Sequence, residues 1–224
     1  MGEMIEFAAN GDTAGGYLAG SGPGVIVLQE WWGLVPQIKG VCDRLADAGF
    51  CALAPDLYHG DIAAHDEMDK AGHLMTSLPA DRAARDMSAA IDELLGHCDG
   101  DSVGVIGFCM GGMLTFLVAA QEGDRVAAAV PFYGAPLGDD APDLSGLTAP
   151  VQGHFAEHDD FFPPEACTAL GERLRSSGGD VTITVYPGTG HAFTNEENPL
   201  GTYDPDASAT AMGAAIEFLR SHLS

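Results

Sequence analysis

The residues of this chain whose types and order suit nucleophilic catalysis are Cys109, His191 and a carboxylate at Asp159 or Asp160. Cys109 sits in Gly107-Phe108-Cys109-Met110-Gly111-Gly112, after the apolar run Val103-Gly104-Val105-Ile106 and before an apolar helical pattern from Gly111 to Ala120. This is the strand–turn–helix setting of a G-x-S-x-G nucleophile elbow, with sulfur in place of the usual oxygen. Side chains at the flanking glycine positions would meet the adjoining strand and helix. Glycine there lets the backbone fold back sharply and present the central side chain outward. A free thiol, with a pKa of about 8.5, is only a few per cent ionised at neutral pH, so it needs a base. A histidine can take that proton and return it to a leaving group, while a carboxylate on the other ring nitrogen sets the tautomer and stabilises the imidazolium. The Met110 N–H, first in the helix that follows, is the natural oxyanion donor, helped by the positive helix end.

Chain order supports this grouping. His154-Phe155-Ala156-Glu157-His158-Asp159-Asp160 and Gly188-Thr189-Gly190-His191-Ala192-Phe193 each follow a strand-like run. Nucleophile, acid and base therefore occur in the order found in α/β-hydrolases. In a parallel sheet, positions after strands share one rim, so distant residues converge there. Chemistry alone leaves the choice between Asp159 and Asp160 open. Neither metal nor cofactor is expected.

The elements that must position these groups alternate strand and helix, as expected for an α/β protein with a mostly parallel sheet covered by helices on both faces. Short edge strands are expected at 5–8 and 16–19, a doubly buried strand at 25–28, and further strands at 50–54, 126–130, 151–155 and 181–186. Helical spacing marks 36–49, 81–97, 164–176 and 206–223. The acidic segment Asp56–Pro79 is the least regular and reads as loop and short helix over one end of the sheet. No repeat or linker divides the 224 residues, so 1–224 is expected to be one domain.

Composition narrows the partners. Thirty-three acidic residues face nine basic ones, a net charge of −24, which repels nucleic acid and anionic membranes and leaves a small molecule as the expected partner. The uncharged stretch Ser102–Gln121 is long enough for a membrane span, but its glycines and change of period fit a buried strand, turn and helix. The acidic N-terminus does not resemble a secretory signal. Five cysteines without C-x-x-C argue for a reducing, cytoplasmic setting, with all but Cys109 as small buried residues. The expected assembly is a monomer or small homo-oligomer.

The chain resembles the dienelactone hydrolase (carboxymethylenebutenolidase) family of α/β-hydrolases. The likeness lies in Gln29-Glu30-Trp31-Trp32-Gly33, Ala54-Pro55-Asp56-Leu57-Tyr58, the Cys109 elbow, Phe132-Tyr133-Gly134, Asp159-Asp160-Phe161-Phe162-Pro163 and Gly190-His191-Ala192-Phe193. It implies an α/β-hydrolase fold and a Cys109–His191–Asp159 triad, choosing Asp159 over Asp160. It also implies that Glu30 holds the resting nucleophile's proton and that the Trp31 N–H is a second oxyanion donor. The sequence departs where the family grips a substrate carboxylate with arginines. The H-x-F-x-R arginine position is Asn195, and Asp56–Pro79 contains no arginine. Without that clamp an anionic lactone is disfavoured. Trp32, Tyr133, Phe193 and Asn195 are the expected pocket residues, with Trp31, Phe132 and Tyr203 as further aromatic candidates. The expectation is hydrolysis of a small activated ester or a lactone, enol-lactones included, through a cysteine thioester. A thioesterase or acyltransferase with the same triad, or a thiol redox or binding protein on this scaffold, are the alternatives.

Overall fold

Among the described residues of this computed structural model, eight strands form one sheet in the order β1-β2-β4-β3-β5-β6-β7-β8. The structure describes residues 2–9, 11–138 and 141–223. Strands β1 (Glu3–Ala9) and β2 (Asp12–Gly20) make an antiparallel hairpin, and β2 pairs antiparallel with β4 (Cys51–Pro55). From β4 inward all pairings are parallel, through β3 (Pro23–Leu28), β5 (Asp99–Phe108), β6 (Val126–Phe132), β7 (Val151–His158) and β8 (Val181–Gly190). The parallel strands therefore end on one rim, where the loops carrying Glu30, Cys109, Asp159 and His191 begin.

The sheet separates two apolar cores, and β3 shows how one strand feeds both. Ile26 and Leu28 point into one core, with α3 (Ala80–Leu95), α4 (Met110–Glu122) and α5 (Pro164–Ser176). Val25 and Val27 point into the other, with α1 (Pro36–Asp47) and α6 (Pro205–His222). Successive strand side chains alternate faces, so a strand covered on both sides must be apolar at every position. All four of these residues are fully buried.

The expected elements are present with shifted ends. The Asp56–Pro79 segment contains α2 (Met68–Ser77), a ten-residue helix. Strands β7 and β8 run on to His158 and Gly190, because their last residues still pair across the register shift between Ala156 and His158. Among the described residues no helix is long and apolar enough to cross a membrane, and no group of three or more His, Cys, Asp or Glu is arranged to hold a metal. The five cysteines are free. Cys42, Cys51 and Cys167 are buried, whereas Cys98, expected to be buried, is partly exposed along with Cys109.

Candidate active site

Steric crowding builds the elbow. A Cβ on Gly107 would lie 2.1 Å from the Gly111 carbonyl oxygen, and one on Gly111 would lie 2.3 Å from the Leu28 carbonyl oxygen. Only glycine lets β5 turn directly into α4 while α4 rests against the end of β3. Cys109 takes φ 54° and ψ −115°, a conformation costly for a residue with a side chain. Its N–H donates to the Phe132 carbonyl at 3.0 Å, and its carbonyl accepts from Met113 N–H at 3.2 Å, which hold it there. Cys109 makes no side-chain cap to α4, so the helix's first amides keep their donors toward the rim.

His191 and Asp159 meet at this rim. The His191 Nδ1 and Asp159 Oδ2 are 2.8 Å apart. Asp159 Oδ1 accepts from the Phe161 and Phe162 amides, both at 2.9 Å, so the turn after β7 fixes the carboxylate. Asp160 is exposed. The one-residue ambiguity is thus a matter of which carboxylate the strand end turns inward. Burial alone would lower the His191 pKa, but hydrogen bonding to Asp159 and to Cys109, with the charges of both, outweighs it and brings the pKa up to about 10. The thiol and the carboxylate therefore both act on the one ring, which packs against Phe161, Phe162 and Tyr133.

Glu30 lies beneath the site, only 1% exposed. Its Oε1 accepts from the Tyr133 hydroxyl at 3.1 Å and its Oε2 from Asn195 Nδ2 at 2.7 Å, while the Tyr133 hydroxyl also meets Thr194 Oγ1 at 2.7 Å. Burial pushes this carboxyl above the usual range. The charge of His191 and the hydrogen bonds from Asn195 and Tyr133 oppose the shift without cancelling it. Asn195 and Tyr133 offer Glu30 neutral donors, and the charge that favours its ionised form comes from His191. Burial, reinforced by the Glu30 charge, also holds the Tyr133 phenol well above its ordinary value.

A cavity of about 210 Å³ opens in front of Cys109 and His191, walled by Trp31, Met75, Met110, Met113, Phe161, Phe162 and Leu200. Trp32, Tyr133, Phe193 and Asn195, expected in its wall, lie elsewhere. Trp32 is 1% exposed and packs edge-on against Trp31 and His65. Phe193 packs on Tyr133 and Tyr186 behind the His191 loop. Tyr133 and Asn195 turn inward because Glu30, not solvent, takes their polar atoms. Of the aromatic candidates only Trp31 reaches the cavity; neither Phe132 nor Tyr203 lines it. Met75, Phe161, Phe162, Met113 and Leu200 were not anticipated. Phe161-Phe162 shortly after Asp159, and Met113 one helical turn beyond Met110, were the available signals. No lysine or arginine lines the cavity, and exposed Met75 and Phe161 stand at its mouth.

The model of the dienelactone hydrolase family matches residues 14–223. The chain belongs to the dienelactone hydrolase family. It is 38% identical over 235 residues to "Protein usf" of Aquifex pyrophilus, with 100% of both chains covered. It is 37% identical over 235 residues to a protein of Aquifex aeolicus (strain VF5) named "Putative carboxymethylenebutenolidase", again with 100% of both covered. Among solved structures it is similar to "m3DLH", with a TM-score of 0.86, 27% identity and coverage of 100% of this chain and 99% of that one. A dienelactone hydrolase-like hydrolase with an α/β fold follows from these likenesses.

Proposed function

We propose that this family member hydrolyses small esters or lactones with good leaving groups through a thioester on Cys109. The observation that carries the reading is a single imidazole, His191, hydrogen-bonded to buried Asp159 and lining one apolar cavity together with Cys109. His191 takes the thiol proton, and the sulfur attacks the substrate carbonyl carbon. The Met110 and Trp31 amides receive the developing oxyanion. Collapse breaks the bond to the leaving group, whose oxygen takes the proton from His191. Water then gives a proton to His191 and attacks the thioester carbonyl, and the sulfur departs to be reprotonated. Asp159 keeps the ring in the tautomer this cycle needs.

Glu30 sets the electrostatics behind this cycle. As a buried carboxyl it disfavours a negative sulfur when ionised and permits one when neutral. Its two hydrogen bonds, to Tyr133 and Asn195, hold it in that position.

The test is to expose the protein to a mixed panel of activated esters and lactones, quench, and locate the acyl adduct by mass spectrometry. The adduct is expected on Cys109, with Cys109→Ala inactive and Cys109→Ser weakly active. Full activity in Cys109→Ala defeats the proposal.

A further inference from the structure

A second cavity adjoins the one in front of Cys109. Met75, Met110 and Met113 line both, and the second, of about 370 Å³, is enclosed by α2, α3 and α4. Along α4 its wall is Met110, Met113, Leu114, Leu117 and Gln121, residues three and four apart on one helical face. At 1.5 Å per residue this wall runs about 16 Å from the elbow. No acidic side chain, lysine or arginine lines either cavity; the one basic group is His191, at the thiol end of the first. The first cavity alone falls below the roughly 300–1,000 Å³ of small-molecule sites; joined to the second, it falls within that range.

We propose that the second cavity is an acyl-chain groove, and that the substrates are esters of unbranched, apolar carboxylic acids. The proposal rests on the thioester reading above. The acyl group stays bonded to the Cys109 sulfur from attack until hydrolysis, whereas the leaving group departs after the first step. The acyl chain is therefore the part that needs housing throughout. It runs from Cys109 past Met75 and Met113 and along α4 toward Gln121. Unbranched thioether side chains at the junction adapt to chains of differing length. A second carboxylate at the far end of the acyl chain would meet no lysine, arginine or histidine in the second cavity, on a protein of net charge −24.

The test compares p-nitrophenyl alkanoates from acetate to decanoate on wild type and on Ala84→Phe. Ala84 lines the second cavity and not the first. In wild type, kcat/KM is expected to rise about fourfold per methylene until the groove is filled. Ala84→Phe keeps acetate turnover within twofold of wild type and loses most of the gain beyond butyrate. Calorimetric binding of 1-octanol needs no turnover and is expected to weaken at least tenfold in Ala84→Phe. A flat alkanoate series with normal acetate turnover overturns the groove and leaves the thioester reading standing. Chain-length gain confined to S-alkyl thioacetates, whose chain leaves, overturns the acyl assignment. Octanol binding that Ala84→Phe weakens, with no ester turned over, supports a chain site and removes the thioester reading.

Discussion

Gly111→Ala tests whether the elbow is built by backbone contact. The new Cβ would lie 2.3 Å from the Leu28 carbonyl oxygen and 2.6 Å from that of Gln29. Moving the closer contact from 2.3 Å to the 3.0 Å floor of real Cβ contacts requires a shift of at least 0.7 Å between α4 and the end of β3. Neither side is a flexible side chain, so the strain falls on the backbone. Overpacking of this kind costs about 1–3 kcal/mol. The same shift separates Cys109 and Met110, at the start of α4, from Glu30 and Trp31 beyond β3. A misplacement of about 1 Å costs on the order of 10²-fold in rate. The expected result is a folded protein with a lower melting temperature and kcat/KM for an activated ester down by about 10²-fold. Gly213→Ala is the control. It lies in α6 with nothing within 4 Å of its Cβ, and is expected to be stabilising by up to about 1 kcal/mol with activity unchanged. Wild-type rate and melting temperature in Gly111→Ala would refute the steric account of the elbow.

Asp159→Asn must keep accepting from the Phe161 and Phe162 amides, so its amide N–H₂ faces His191 Nδ1 and forces the wrong tautomer; kcat is expected to fall by about 10⁴, and a fall under tenfold removes Asp159 from the mechanism. Burial lowers His154 from 6.5 to about 3, so below pH 6.5 the unfolded chain binds a proton that the native one refuses. Stability should therefore drop by about 1.4 kcal/mol per pH unit as pH falls between those values, a slope that denaturant titrations should find reduced by about one proton in His154→Gln. His191 has the opposite sign: raised to about 10, it stabilises the native state fully below pH 6.5, and that contribution is lost as pH rises through 10. Because burial raises Glu30, its ionisation opposes folding, so Glu30→Gln should gain stability over wild type as pH rises above 4.5 and should alkylate faster at Cys109. Equal melting curves and alkylation rates at every pH would remove its electrostatic role. Burial pushes Cys51 up to about 11 and Cys167 up to about 12, so mass mapping after brief iodoacetamide treatment at pH 7.5 should find label on Cys109 well before either. Equal labelling of all three would count against an activated Cys109.

The chemical inventory and its support were legible in the chain because local rules govern them. An apolar β5, paired glycines and an apolar α4 can adopt few backbone paths, and the turn between them must expose residue 109. Alternating strand and helix patterns likewise implied one rim where Cys109, Asp159 and His191 approach one another. The wall of the cavity was not legible. Its residues come from α2, α4 and the loops after β3, β7 and β8, and which face of each turns toward the thiol depends on how those segments pack. Aromatic side chains near the motifs looked like pocket residues by type, yet Tyr133 and Phe193 are wholly buried. The Glu30 network shows the same limit. Its partners lie 103 and 165 positions away, and Asn195 at the arginine position signalled a lost charge without showing what it would hold. Local sterics and periodicity act over a few residues, so a single sequence displays them. Burial and hydrogen-bond partnership between distant segments exist only once the sheet has brought their ends together.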